Sequence, residues 1–148
     1  MIKYPQQAAE GESSPPTGGT EDEYIAPAPR VSIQAFCESA ETAAAVQAAS
    51  QDRRLAKAHI RVQMGGVAAA VEAYRSAPTP NVVVLESESR DGSILTGLDQ
   101  LAEVCDAGTR VVVIGRFNDI VLYRELIRRG VSEYLIGPVQ ALDVVRAI

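Results

Sequence analysis

The sequence predicts an α/β protein, a (βα)5 unit whose five strands form one doubly wound parallel sheet ordered 2-1-3-4-5. Three observations point there. Short apolar runs rich in β-branched residues, such as VVVLE (82–86) and VVVIG (111–115), alternate with stretches of strong helix formers. The connections between them are short and punctuated by Gly, Pro, Asn and Asp. Right-handed crossovers then leave few topologies for five such repeats, and the doubly wound sheet is the common one.

The elements follow in order. VSIQAFC (31–37) reads as the first strand. Ser39 stands where a helix N-cap belongs, ahead of AETAAAVQAASQDRRL (40–55), all of it favourable to helix. HIRVQM (59–64) alternates and so predicts an edge strand. Gly65 and Gly66 turn the chain into VAAAVEAYRS (67–76), and PTPN punctuates. VVVLE is continuously apolar up to Glu86, the pattern of a strand covered on both faces. ILTGLDQLAEVC (94–105) is the third helix and VVVIG the fourth strand. Asn118 or Asp119 caps DIVLYRELIRR (119–129), which Gly130 stops at C′. VSEYLI (131–136) is the fifth strand, then Gly137-Pro138, then a last helix beginning at Gln140 and cut off at Ile148.

The chain has 148 residues, the size of one domain, and a net charge of −5. Residues 1–29 carry Lys3 against Glu10, Glu12, Glu21, Asp22 and Glu23, a balance of −4, so the rest is nearly neutral. That argues against nucleic-acid affinity and against electrostatic attraction to a membrane. No apolar run reaches the ~18 residues that span a bilayer, and the N-terminus lacks a signal-peptide pattern, so a cytoplasmic protein is expected. Residues 1–29, rich in Pro, Gly, Ser and acid groups, read as a disordered tail, a spacer or else a docking segment. Cys37 and Cys105 are far apart with no ligand-spaced companions, which predicts buried, reduced thiols and no metal site. His59 is a lone histidine, also without a metal role. Arg53, Arg54, Lys57 and Arg61 form a basic cluster, read as a solvated face or as a dock for an anionic partner.

In such a sheet, ligands bind outside the carboxyl ends of the strands, at the switch point between the first and third. There the sequence places Phe36, Cys37, Glu38, Glu86, Gly115 and Gly137. With Ser39 as cap, NVVVLE, VVVIG and GVSEYLIGPV, this arrangement resembles a receiver domain of bacterial two-component signalling, with its flavodoxin/CheY-like fold. The resemblance implies a phosphoacceptor aspartate where Glu86 stands and a Mg²⁺-binding acid pair where Phe36 and Cys37 stand. It also implies a hydroxyl at Gly115 and a lysine at Gly137. Mg²⁺ needs hard oxygen ligands, and phosphoryl transfer depends on charge placement. The pocket therefore reads as degenerate: a pseudo-receiver with no phosphotransfer, no catalytic residue and no cofactor. Glu86 is then a carboxylate on the solvent-open rim, satisfied by backbone N–H groups or water, a stand-in for a phosphorylated aspartate, or a group coupled to a partner surface.

A narrower resemblance rests on NDIVLYRELIRRGVSEYLIGPV, GGVAAAVEAY and PTPNVVVLES. Over residues 30–148 the chain is similar to the N-terminal atypical receiver domain of the CpaE/TadZ family of Flp-type pilus assembly proteins. That resemblance implies a following MinD/ParA-like ATPase domain beyond Ile148. It implies partners in the pilus or secretion machinery or among polar landmark proteins, and placement at the cell pole. A working receiver of two-component signalling is the alternative; a small flavodoxin-like enzyme ranks third.

A domain without catalytic parts acts through a surface. In DIVLYRELIRR, Ile120, Leu122, Tyr123, Leu126 and Ile127 span roughly 160° at about 100° per residue, with Val121 outside the arc. About 100° suffices to cover a sheet. The surplus reads as a broad core stripe or as a homodimer contact through the fourth helix, fifth strand and fifth helix, with Tyr134 among its candidate residues.

Overall fold

The structure, a computed structural model, describes residues 25–27 and 30–148. The expected disorder of residues 1–29 falls outside the described residues except at 25–27, where Ile25 packs against the core. The sheet comprises β1 (Ser32–Cys37), β2 (His59–Met64), β3 (Val82–Glu86), β4 (Arg110–Gly115) and β5 (Glu133–Ile136). All pairs are parallel, in the order β2-β1-β3-β4-β5. Helices α1 (Ala40–Ser50), α2 (Gly66–Tyr74), α3 (Ser93–Ala102), α4 (Ile120–Arg128) and α5 (Ala141–Ala147) follow the strands in turn.

Two apolar clusters, one on each face of the sheet, hold it. Ile33, Ala35, Val82, Val84, Val112 and Ile114 point to the side of α1 and α5. Phe36, Val83, Leu85 and Val113 point to α2, α3 and α4. Every residue of β3 is buried, because it lies mid-sheet with helices on both sides. Each such Val or Leu contributes about 1.5–3 kcal/mol through burial. β2 is an edge strand with an alternating, half-exposed pattern.

Two boundaries differ from the sequence reading by three residues or more. The first helix ends at Ser50, and Arg53–Leu55 form a separate 3-10 turn. Asp52 causes the break: its carboxylate accepts from the Arg54 backbone N–H at 2.8 Å and pairs with the Arg54 guanidinium at 2.9 Å. That local cap competes with continuing the helix. The third helix stops at Ala102, short of Cys105, which is only half-buried rather than buried. Asp119, not Asn118, caps α4, accepting from Val121 and Leu122 N–H. Gln140 opens α5 in a reciprocal cap with Asp143.

Candidate functional site

The parallel strands all end at one mouth, and Glu86 sits at its centre as the last residue of β3. It is 1% exposed, so it does not lie on a solvent-open rim. The loop from Cys37 into α1 wraps its carboxylate. Oε1 accepts from the backbone N–H groups of Glu38 at 2.7 Å and Ser39 at 2.8 Å. Oε2 accepts from the hydroxyls of Ser39 and Thr42, each at 2.9 Å. The carboxylate thus caps the start of α1, where unpaired N–H groups and the helix dipole favour negative charge. Burial by itself raises the pKa of Glu86. The N–H groups of Ser39 and Glu38 and the hydroxyls of Thr42 and Ser39 outweigh it and hold the acid below its ordinary value. Ser39 therefore serves twice, since its hydroxyl also accepts from Thr42 N–H at 3.2 Å.

A cation also faces the mouth, which the sequence reading missed. Arg116, one residue past β4, places Nη2 3.0 Å from Glu88, 3.5 Å from Glu41 and 3.9 Å from Glu86. The signal was thin: an arginine directly after a strand is unremarkable until the fold brings three glutamates around it.

The other predicted pocket residues take separate places. Phe36 is fully buried on the α2 side, edge-on to Tyr74 with ring centroids 5.7 Å apart. Cys37 is buried on the opposite side, its thiol pushed up to about 11 by burial and by the nearby Glu86 charge. Glu38 donates its backbone N–H to Glu86, but its carboxylate turns away and accepts from Glu88 N–H at 2.8 Å. It lies over Gly66, whose φ of +62° and lack of a side chain both matter: a Cβ there would fall 2.7 Å from Glu38 Oε2. Gly115 and Gly137 meet across the mouth, Gly137 N–H donating to Gly115 C=O at 2.6 Å. The peptide between Gly137 and Pro138 is cis.

These residues do not fit Mg²⁺. Phe36 and Cys37 offer no hard oxygen, the Glu38 and Glu86 carboxylates are committed to N–H and O–H donors, and Arg116 already brings positive charge. Among the described residues no group of three or more His, Cys, Asp or Glu is placed to hold a metal ion.

On the α4 and β5 side, Ile120, Val121, Tyr123, Ile127 and Ile136 are exposed. Leu126, assigned to the candidate interface from its place in the arc, is fully buried against the sheet, and Leu122 packs partly against the same cluster. Val121, left outside the arc, is the most exposed of the group at 67%. The helix is rotated so that its Leu edge faces the core. Tyr134 points inward, its hydroxyl donating to Phe117 C=O at 2.9 Å.

Five parallel strands in this order, with an acid closing the third, define a CheY-like receiver-type domain. A CheY-like response regulator from Mesorhizobium loti shares that fold at 17% identity, with a TM-score of 0.57 over 80% of this chain and 96% of that one. Comparison with protein-family models and with curated proteins gives no match. Two solved structures are much nearer. The pilus assembly protein CpaE of Caulobacter crescentus CB15 is 51% identical over 84% of this chain and 95% of that chain, with a TM-score of 0.79. A putative CpaE2 pilus assembly protein of Sinorhizobium meliloti 1021 is 43% identical over 79% and 96%, with a TM-score of 0.76. The chain belongs to the CpaE pilus assembly protein family.

Proposed function

We propose that this receiver-like domain is a non-catalytic interaction and localisation module of Flp-type pilus assembly, one that accepts no phosphoryl group and works by pairing with a second copy and docking on pilus machinery. The observation that carries the reading is the state of Glu86: buried, with both oxygens held by the first turn of α1. An acceptor needs an exposed oxygen lone pair for in-line attack and a cation over the incoming phosphate. Glu86 has its lone pairs directed at donors, and the nearest cation, Arg116, is engaged by Glu41 and Glu88.

The surface half of the reading rests on the exposed apolar residues of α4 and β5. Ile120, Val121, Tyr123, Ile127 and Ile136 are costly to leave in water together, and a two-fold pairing of the same face would cover them. The pilus assembly names of the CpaE relatives support a role in that assembly, and partners and polar placement are the part of the proposal that rests on the family resemblance alone.

Incubation with acetyl phosphate and Mg²⁺, followed by intact-mass measurement, is expected to leave the mass unchanged. Addition of a phosphoryl group that disappears in Glu86→Gln would overturn the non-catalytic reading in favour of a signalling receiver. For the surface, Tyr123→Glu or Ile127→Glu is expected to shift sedimentation toward monomer. Leu122 is a poor probe, since a charge there would enter the core. A wild-type chain that is monomeric at all concentrations sinks the pairing. A fluorescent fusion spread evenly through the cell would sink polar placement.

A further inference from the structure

Four carboxylates, those of Glu38, Glu41, Glu86 and Glu88, gather at the mouth, and their bonds divide them into two kinds. Glu86 has both oxygens on the donors of Glu38, Ser39 and Thr42, and the Glu38 carboxylate accepts from Glu88 N–H. Glu41 and Glu88 stand on the water side, with the Arg116 guanidinium between them at 3.5 Å and 3.0 Å. The same Nη2 is 3.9 Å from Glu86, so one group serves three acids. A guanidinium suits that task, being planar, permanently charged and rich in donors. Its stem passes over Gly137. A Cβ there would already touch Arg116 Nε at 3.7 Å and Cδ at 3.8 Å, and a longer side chain would contest the same space. The bare backbone at Gly137 leaves Arg116 room to enter the mouth.

We propose that Arg116 is the resident cation of the mouth, seated where Glu41 and Glu88 would otherwise draw a divalent ion from solution, and that its charge is what bars such an ion. The inference rests on the reading of the mouth as non-catalytic, and it names the side chain that enforces it. Mg²⁺ and Mn²⁺ take one or two carboxylates and complete their shells with water. The two exposed glutamates therefore supply enough oxygen once the guanidinium is gone. With Arg116 in place, an incoming ion meets a like charge and must break two ion pairs. The counter-charge belongs to the chain itself, so α1, the end of β3 and the segment after β4 are fastened without recourse to metal.

Mn²⁺ is the probe, titrated into the full chain at pH 7 while backbone amide resonances are followed by NMR. In the wild type no localised broadening is expected. In Arg116→Ala, broadening is expected at the amides of Glu41, Ser87 and Glu88. Binding there should be at least about tenfold tighter, the effect of removing one positive charge beside a divalent ion. Arg116→Lys keeps a charge and is expected to behave as the wild type. Adding Glu88→Gln to Arg116→Ala is expected to abolish the gain. Equal Mn²⁺ affinity of wild type and Arg116→Ala overturns the proposal, as does a gain that survives Glu88→Gln. Should Arg116→Ala unfold, Arg116→Gln keeps the stem over Gly137 and removes only the charge. The same gain is expected of it, and its absence would equally overturn the proposal. A wild-type chain that takes up phosphoryl groups from acetyl phosphate, yet gains Mn²⁺ affinity on loss of Arg116, refutes the non-catalytic reading and leaves Arg116 standing as the resident cation.

Discussion

Ser39 binds the Glu86 carboxylate twice, with its backbone N–H at 2.8 Å to one oxygen and its hydroxyl at 2.9 Å to the other. The end of the central strand and the start of α1 are thereby fastened across 47 residues of sequence. The acid that closes the buried run is a helix cap supplied by a neighbouring strand. Its length suits that task, because it spans from the end of β3 to two N–H groups and two hydroxyls in the next layer.

Glu86→Gln keeps the shape and removes the charge. Its amide oxygen can accept from the two N–H groups while its NH₂ faces the two hydroxyls, which must turn to accept, so the charge-assisted character of all four contacts is lost in a buried site. A destabilisation of about 2–3 kcal/mol is expected from urea unfolding at pH 7. A change within experimental error would show that the capping carboxylate contributes little.

Acid should reveal the same group. The folded-state pKa of Glu86 is lowered, so its contribution is complete above the ordinary glutamate value of about 4.3 and declines below it. It is gone once the pH has fallen through the folded-state value. Asp52, held down to about 2 by its bonds to Arg54, and Asp91, lowered by Ser93 and Ser89, decline in the same direction. The difference between wild type and Glu86→Gln therefore isolates Glu86. It is expected to shrink as the urea midpoint is followed from pH 6 to pH 3, and a gap independent of pH would contradict the charged cap.

Arg116→Ala leaves Glu41, Glu86 and Glu88 facing one another without their shared guanidinium. Because Arg116 is partly exposed and two of the acids are at the surface, a cost of about 1 kcal/mol is expected, smaller at high salt. Melting temperatures of both proteins at low and high ionic strength would measure it. Equal sensitivity of the two to salt would argue against the cluster.

The two thiols should differ. Cys37 is 1% exposed with its thiol pushed up to about 11, whereas Cys105 is half-buried three residues past the end of α3. Alkylation at pH 8 under native conditions is expected to modify Cys105 first and Cys37 only on unfolding, since the thiolate is the reactive form. Peptide mapping of partially modified protein decides this. Early labelling at Cys37 would show that the mouth opens more readily than its packing allows.

Sequence by itself determined what is periodic or local: the five strands, the alternation of helices, the edge character of β2, the Ser39 cap and the stop at Gly130. Each depends on neighbours a few residues away, so the pattern of apolar residues and turn formers suffices to reveal it. The Asp52 break in the first helix was also local in cause, yet strong helix formers on both sides masked it. Tertiary structure alone decided the rest. Whether Glu86 meets water or α1, whether Arg116 reaches acids of both α1 and the end of β3, and which edge of α4 turns Leu126 inward all depend on contacts between segments far apart in the chain. Those distances are set by how helices seat on a twisted sheet. The chemistry of the mouth follows from that seating, because a carboxylate at the same sequence position would be a ligand in open solvent and is a cap when enclosed by donors.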